Sequence, residues 1–173
     1  MKILMIIDMQ KGFINENNQF LVDNINNLIK SNKFDKIIAT KFINNGENYK
    51  KLLNWDEMKT SPQTDIVIDL PKNAIIINKS SYGLPSEFLH LDEKGRIKFN
   101  DFFLSPKDEI CLAGTDSDAC VLAVAFQLFD NGFAPKFIID SIGSSSKRSI
   151  SSCEFKTILE RNFGKKSIIN DVD

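Results

Sequence analysis

Short apolar runs alternate with amphipathic stretches along almost the whole chain, and the two periodicities predict different elements. Residues 3–7 are an unbroken run of Ile, Leu and Met, as expected of a strand buried on both faces at the centre of a parallel sheet. Residues 37–39, 74–77, 109–113, 137–139 and 167–169 predict five further strands. Between them, residues 20–29 place Leu21, Val22, Ile25, Leu28 and Ile29 at the spacing of a helix face. Residues 118–131 predict a helix ended by Gly132. The Ser-rich residues 141–146 predict the capping region of a helix that runs through residue 162 and is closed by Gly164. A looser segment after residue 42 holds Trp55, Pro62 and the apolar residues 66–68. Residues 85–91 read as helix or turn, and residues 99–104 as a place where apolar side chains tuck inward. No internal repeat and no linker interrupts this order. Strand–helix alternation predicts one doubly wound α/β domain over residues 1–173.

The chemistry concentrates where strands end. Asp8 follows the first apolar run, Lys79 follows the third, and Cys120 opens the helix after the fourth. In a doubly wound sheet such ends converge in one crevice, bringing together an acid, a base and a nucleophile. A thiol at a helix N-terminus is also favoured as thiolate by the aligned peptide dipoles. Taken singly, each residue has a simpler role: a turn cap for Asp8, a solvated lysine for Lys79, a small buried hydrophobe for Cys120. Three matching strand ends together point to an enzyme.

Charge narrows the partners. With 22 basic and 23 acidic residues, and lysines scattered rather than clustered, the chain has no electrostatic footprint for nucleic acid or an anionic membrane. Three cysteines without CxxC spacing argue against a disulfide framework or zinc ribbon. Cys111 falls in a strand and Cys153 in an amphipathic helix, both structural positions. The apolar run of residues 3–7 is too short for a membrane span or a signal core, and a reducing cytoplasm is the expected location.

Three segments together resemble the isochorismatase-like cysteine hydrolases: Asp8-Met9-Gln10 with Phe13, Lys79-Ser80-Ser81-Tyr82, and residues 114–121 around Cys120. They occur in the same order and with similar spacing. The resemblance implies a three-layer α/β/α sandwich around a six-stranded parallel sheet, commonly assembled as a dimer or tetramer. It implies that Asp8 takes the Cys120 proton and returns it to the leaving amine, while Lys79 holds Asp8 ionised. The thiolate would attack an amide carbonyl and water would resolve the thioester. The oxyanion would be met by the backbone N–H groups of Cys120 and Asp116, with a cis bond at Thr115–Asp116. Asp116 stands where the family more often has a small apolar residue, so its side chain must point away from the oxyanion. Gln10, Phe13, Phe42 and Tyr82 are the expected substrate-binding residues, with Trp55 and Leu84 as further wall.

Nicotinamidases of this family bind a divalent metal through an Asp-x-His pair after the second strand. Here the matching positions read Phe42-Ile43-Asn44, and the only histidine, His90, lies elsewhere. No metal and no cofactor is therefore expected. The reading is a hydrolase cleaving a C–N bond of a small amide, ureido or carbamoyl compound. Alternatives are vinyl-ether hydrolysis of an isochorismate-like acid, whose family members lack the cysteine, and a non-catalytic oligomeric binding protein. A phospho-receiver would need an acidic pair that residues 1–7 lack, and a dinucleotide-binding domain would need G-x-G-x-x-G, which is absent after the first strand.

Overall fold

A computed structural model describes residues 1–99 and 102–170. Six parallel strands form one sheet in the order β3-β2-β1-β6-β7-β8. They are β1 (Lys2–Ile7), β2 (Lys36–Phe42), β3 (Ile75–Lys79), β6 (Glu109–Thr115), β7 (Pro135–Gly143) and β8 (Ile168–Ile169). A small antiparallel pair, β4 (Ile97–Phe99) and β5 (Phe102–Leu104), lies apart from the sheet. Leu104 is buried there as expected, whereas residues 100–101 of the anticipated tuck lie outside the described residues.

The unbroken apolar run of β1 is explained by burial on both faces. Ile3, Met5 and Ile7 pack with Val121, Val124 and Leu128 of α3 (Cys120–Asp130) and with Phe155 and Leu159 of α4 (Ser152–Phe163). Leu4 and Ile6 pack with Leu21 and Ile25 of α1 (Phe20–Lys30). The same alternation in β6 turns Ile110 and Leu112 to one layer and Cys111 and Ala113 to the other. Three layers result, and both inner surfaces of the sheet are dry.

Chain direction sets where a site can form. β1 pairs with β2 on one side and with β6 on the other, so connections leave β1 and β6 toward opposite layers. A crevice opens at the carboxyl ends of these strands. Its floor is tight. Gly114 pairs with Ile7 at φ +117, and a Cβ there would lie 2.2 Å from the Ile7 carbonyl oxygen. The three nearest atoms are all Ile7 backbone, so no side chain can rotate away to make room. Gly114→Ala is expected to destabilise by about 2–4 kcal/mol, combining the cost of a Gly-only backbone with overpacking. Urea unfolding measures this; a loss under about 0.5 kcal/mol would mean that β1 and β6 can part freely at this point.

Several boundaries differ from the sequence reading. Helix α2 (Glu47–Leu53) arises within the segment read as loose; it buries only Tyr49 and leaves Leu52 and Leu53 exposed, so it carries no apolar stripe. Helix α3 starts at Cys120 rather than at 118, because residues 116–119 form a turn in which Asp116 O accepts from Ala119 N and Val121 N. Strand β7 continues through Ser141 to Gly143, so α4 is capped by Ser151 instead of the earlier serines. There, Ser151 Oγ accepts from Glu154 N and the Glu154 carboxylate accepts from Ser151 N, a reciprocal box. Among the described residues no helix is long and apolar enough to cross a membrane.

Candidate active site

Asp8 directly follows β1 and has a left-handed backbone, φ +48, a conformation Asp adopts more readily than most residues. Its N–H donates to Thr40 Oγ1 at 3.1 Å, and the Thr40 hydroxyl donates back to Asp8 Oδ1 at 2.6 Å. The other oxygen, Oδ2, is ion-paired with Lys79 Nζ at 2.7 Å, with both side chains wholly buried. Lys79 is the last residue of β3, in register with Phe42 of β2. Its ammonium also donates to Ser81 O at 2.8 Å and Tyr82 O at 3.0 Å, and it sits 5.3 Å from the centroid of the Phe42 ring. The loop after β3 thus folds back over the ion pair.

Cys120 is the first residue of α3 and is 6% exposed. Burial pushes its thiol far above the ordinary cysteine value. The Asp8 charge and a hydrogen bond to Asp8 push the same way, against the opposing pull of Lys79. The helix start favours a thiolate, whereas desolvation and the adjacent Asp8 carboxylate push the other way, toward the protonated thiol. Cys111 is also buried, and its thiol is pushed up to about 12 by burial. Cys153 is exposed on α4.

The turn before Cys120 has the cis bond at Thr115–Asp116. Neither the Asp116 nor the Cys120 N–H finds an acceptor among the described residues. Two free donors thus accompany the thiol, the arrangement an oxyanion requires. The Asp116 carboxylate is turned aside. It accepts from Ser145 N at 2.6 Å, Ser145 Oγ at 2.8 Å and the Thr115 hydroxyl. Burial nevertheless pushes this carboxyl up, opposed by those same hydrogen bonds.

A cavity of about 470 Å³ opens over Cys120 and Ala119. Phe13, Phe42, Tyr49, Trp55 and Tyr82 line it, together with Asn15, Glu57, Asp116 and Ser145. The rings pack on one another: Phe13 stacks on Trp55 at 6.2 Å, and Tyr49 meets Phe42 and Trp55 edge-on at 5.4 and 5.7 Å. Tyr82 joins through Tyr49 at 5.5 Å and is 44% exposed at the mouth. Phe13, Phe42 and Tyr82 thus lie where the sequence reading put them. Gln10 does not. Its amide donates to Phe42 O and Thr64 O and accepts from Phe42 N, and it is wholly buried. Gln10 ties three segments together behind the wall, having no polar atom left for a substrate. Leu84 is likewise buried away from the cavity, in the core beneath α3.

Sequence reasoning missed Thr40, Tyr49, Asn15 and Ser145. A polar residue inside a buried strand was the available signal for Thr40. The other three belong to segments whose approach to Cys120 is set only by the fold. Asn15, for example, reaches Ser145 O at 2.8 Å.

The donors do not suit a metal ion. Among the described residues no group of three or more His, Cys, Asp or Glu is placed to hold one. At the positions after β2, Phe42 contributes a ring to the cavity, and the Asn44 amide donates to Glu57 O at 2.9 Å. His90 is exposed just after a short 3-10 turn, Ser86–Leu89.

Comparison with known proteins identifies the family and the fold. The isochorismatase domain matches residues 2–160. Curated proteins give no match. Among solved structures, N-carbamoylsarcosine amidase from Thermoplasma acidophilum superposes with a TM-score of 0.71 at 14% identity, covering 94% of this chain and 92% of that one. A pyrazinamidase/nicotinamidase from Streptococcus mutans gives 0.70 at 15%, covering 98% and 100%. A pyrazinamidase of Pyrococcus horikoshii, solved in complex with zinc, gives 0.65 at 18%, covering 96% of each chain. At these identities the structures speak for the fold. The domain match covers nearly the whole sequence, and the chain belongs to the isochorismatase family.

Proposed function

We propose that this protein is a metal-independent cysteine hydrolase that cleaves the C–N bond of a small amide, ureido or carbamoyl compound. The observation that carries it is a buried thiol set between the Asp8–Lys79 ion pair and two N–H groups without acceptors, at the base of a cavity. Asp8 accepts the thiol proton as sulfur bonds to the carbonyl carbon, and the carbonyl π electrons move onto oxygen, facing the Asp116 and Cys120 N–H groups. Collapse of this adduct breaks the C–N bond, and the proton on Asp8 leaves with the amine. Water then adds to the thioester, giving a proton to Asp8, which returns it to the departing sulfur. Lys79, ion-paired with Asp8 at 2.7 Å, gives the carboxylate electrostatic support between steps. A neutral resting thiol suits this scheme, because proton and nucleophile move together and no exposed thiolate waits for oxidants.

The amidase relatives named above support the C–N choice, and Cys120 counts against vinyl-ether hydrolysis, which has no use for a nucleophile. The test is ammonia release from a panel of small amides, ureas and carbamoyl compounds, with acid-quenched mass spectrometry of the protein. Turnover with an acyl mass on the Cys120 peptide is expected, and neither with Cys120→Ala. Equal turnover by Cys120→Ala would sink the covalent mechanism.

A further inference from the structure

Building on the hydrolase reading, we propose that the substrate carries a positive charge in addition to its scissile amide, and that Asp116 is the residue that selects it. Asp116 lines the cavity wall next to Ala119 and Cys120. All three of its hydrogen-bond donors, Ser145 N, Ser145 Oγ and the Thr115 hydroxyl, are uncharged. They fix and solvate the carboxylate, but they leave its charge uncompensated. Among the described residues no Lys, Arg or His lines the cavity, and the second carboxyl on its wall is the exposed Glu57. Lys79 is already ion-paired with Asp8 and donates to Ser81 O and Tyr82 O.

The remaining wall supports the same sign. Phe13, Tyr49, Trp55 and Tyr82 offer aromatic surfaces whose negative π-faces attract a cation. Burial raises both phenols, Tyr49 to about 12, so the rings hold their protons and add no charge of their own to the wall. A carboxylate-bearing amide would lose its water here, gain no countercharge and face a like charge, each a penalty that discriminates against it. A cationic amide meets the opposite case on every count. Asp116 is thus a specificity residue as well as the second donor of the turn, with its N–H serving one role and its carboxylate the other.

The test uses the Cys120→Ala protein, so that binding is read without turnover, and three matched benzamides. They carry aminomethyl, methyl or carboxylate at the para position, and binding is measured by calorimetry at about pH 8. The aminomethyl compound is expected to bind about tenfold or more tighter than the methyl compound, and the carboxylate about tenfold or more weaker, each a step of about 1.4 kcal/mol. In Cys120→Ala/Asp116→Asn the cation-to-neutral ratio should fall to within about threefold. Equal affinities, preference for the carboxylate, no binding by any of the three, or a ratio preserved without Asp116 would overturn the proposal. If the Asn variant fails to fold, the salt dependence of the first protein decides. The aminomethyl advantage must shrink as salt rises, and a salt-independent ratio overturns the charge-based account. Turnover by the Cys120-containing protein separates the two readings: cation preference without hydrolysis refutes the hydrolase while leaving the selectivity intact.

Discussion

Replacing Asp8 by Asn is expected to lower kcat on any amide the protein turns over by about 10²–10⁴-fold, the usual contribution of a positioned general base. The substitution keeps an oxygen for the Thr40 hydroxyl, which donates to Asp8 Oδ1 at 2.6 Å. It removes the acceptor Oδ2 that faces Lys79 at 2.7 Å. A second readout moves the other way. The Asp8 charge and hydrogen bond help to hold the Cys120 thiol up, so the Asn variant should ionise it at lower pH. Iodoacetamide labelling of Cys120, followed against pH by peptide mass, should therefore shift its midpoint downward while hydrolysis collapses. A more ionised cysteine with less catalysis is what a base mechanism requires, and it excludes a resting-thiolate mechanism, in which both would rise together. If kcat falls by less than about threefold, Asp8 is a structural anchor and another group takes the proton.

The three strand-end groups were legible because each is fixed by a local signal that the fold preserves. The run before Asp8 is buried on both faces, which fixes β1 in the centre of the sheet. Once β1 is central, the ends of its neighbours are close to it by topology alone. The walls were less legible. Phe13 and Tyr82 follow β1 and β3, Phe42 ends β2, and the structure places all three at the cavity, whereas Tyr49 sits on a helix that lacks an apolar stripe and meets the other rings only through the fold. Gln10 misled for a related reason. A polar residue two positions after a buried strand-end acid looks like a substrate contact, but the bridge between Gln10 and Ile66 brings a loop against it. Backbone groups of Phe42 and Thr64 then use its amide.

The charge state of Cys120 shows a deeper limit. Helix position is read from sequence, and it favours thiolate. Desolvation depends on what closes over the sulfur, and here a neighbouring carboxylate and the core beneath α3 together reverse the sign. Asp116 is the same problem in another place. Its departure from a small apolar residue was visible in the sequence. Its partners on the loop after β7 depend on where β7 ends, and that strand ran four residues beyond the apolar run that announced it.

Lys79→Met should be the most destabilising change at the site, by about 3–5 kcal/mol, because it strands a buried carboxylate without a partner. The pair is wholly buried at 2.7 Å, so solvent cannot stand in for the lost ammonium, and two backbone carbonyls, Ser81 O and Tyr82 O, also lose their donor. Methionine fills a similar volume, so packing beside the Phe42 ring is largely kept and the loss isolates the charge. Urea unfolding of wild type, Lys79→Met, Asp8→Asn and the double variant measures the coupling. The double variant should recover more than about 1.5 kcal/mol relative to the sum of the singles, since neither charge is then buried alone. It should nevertheless remain inactive, having no base. Additive losses would mean that the two side chains act independently of each other, and Lys79 would then matter only as the donor that folds the loop after β3 over the site.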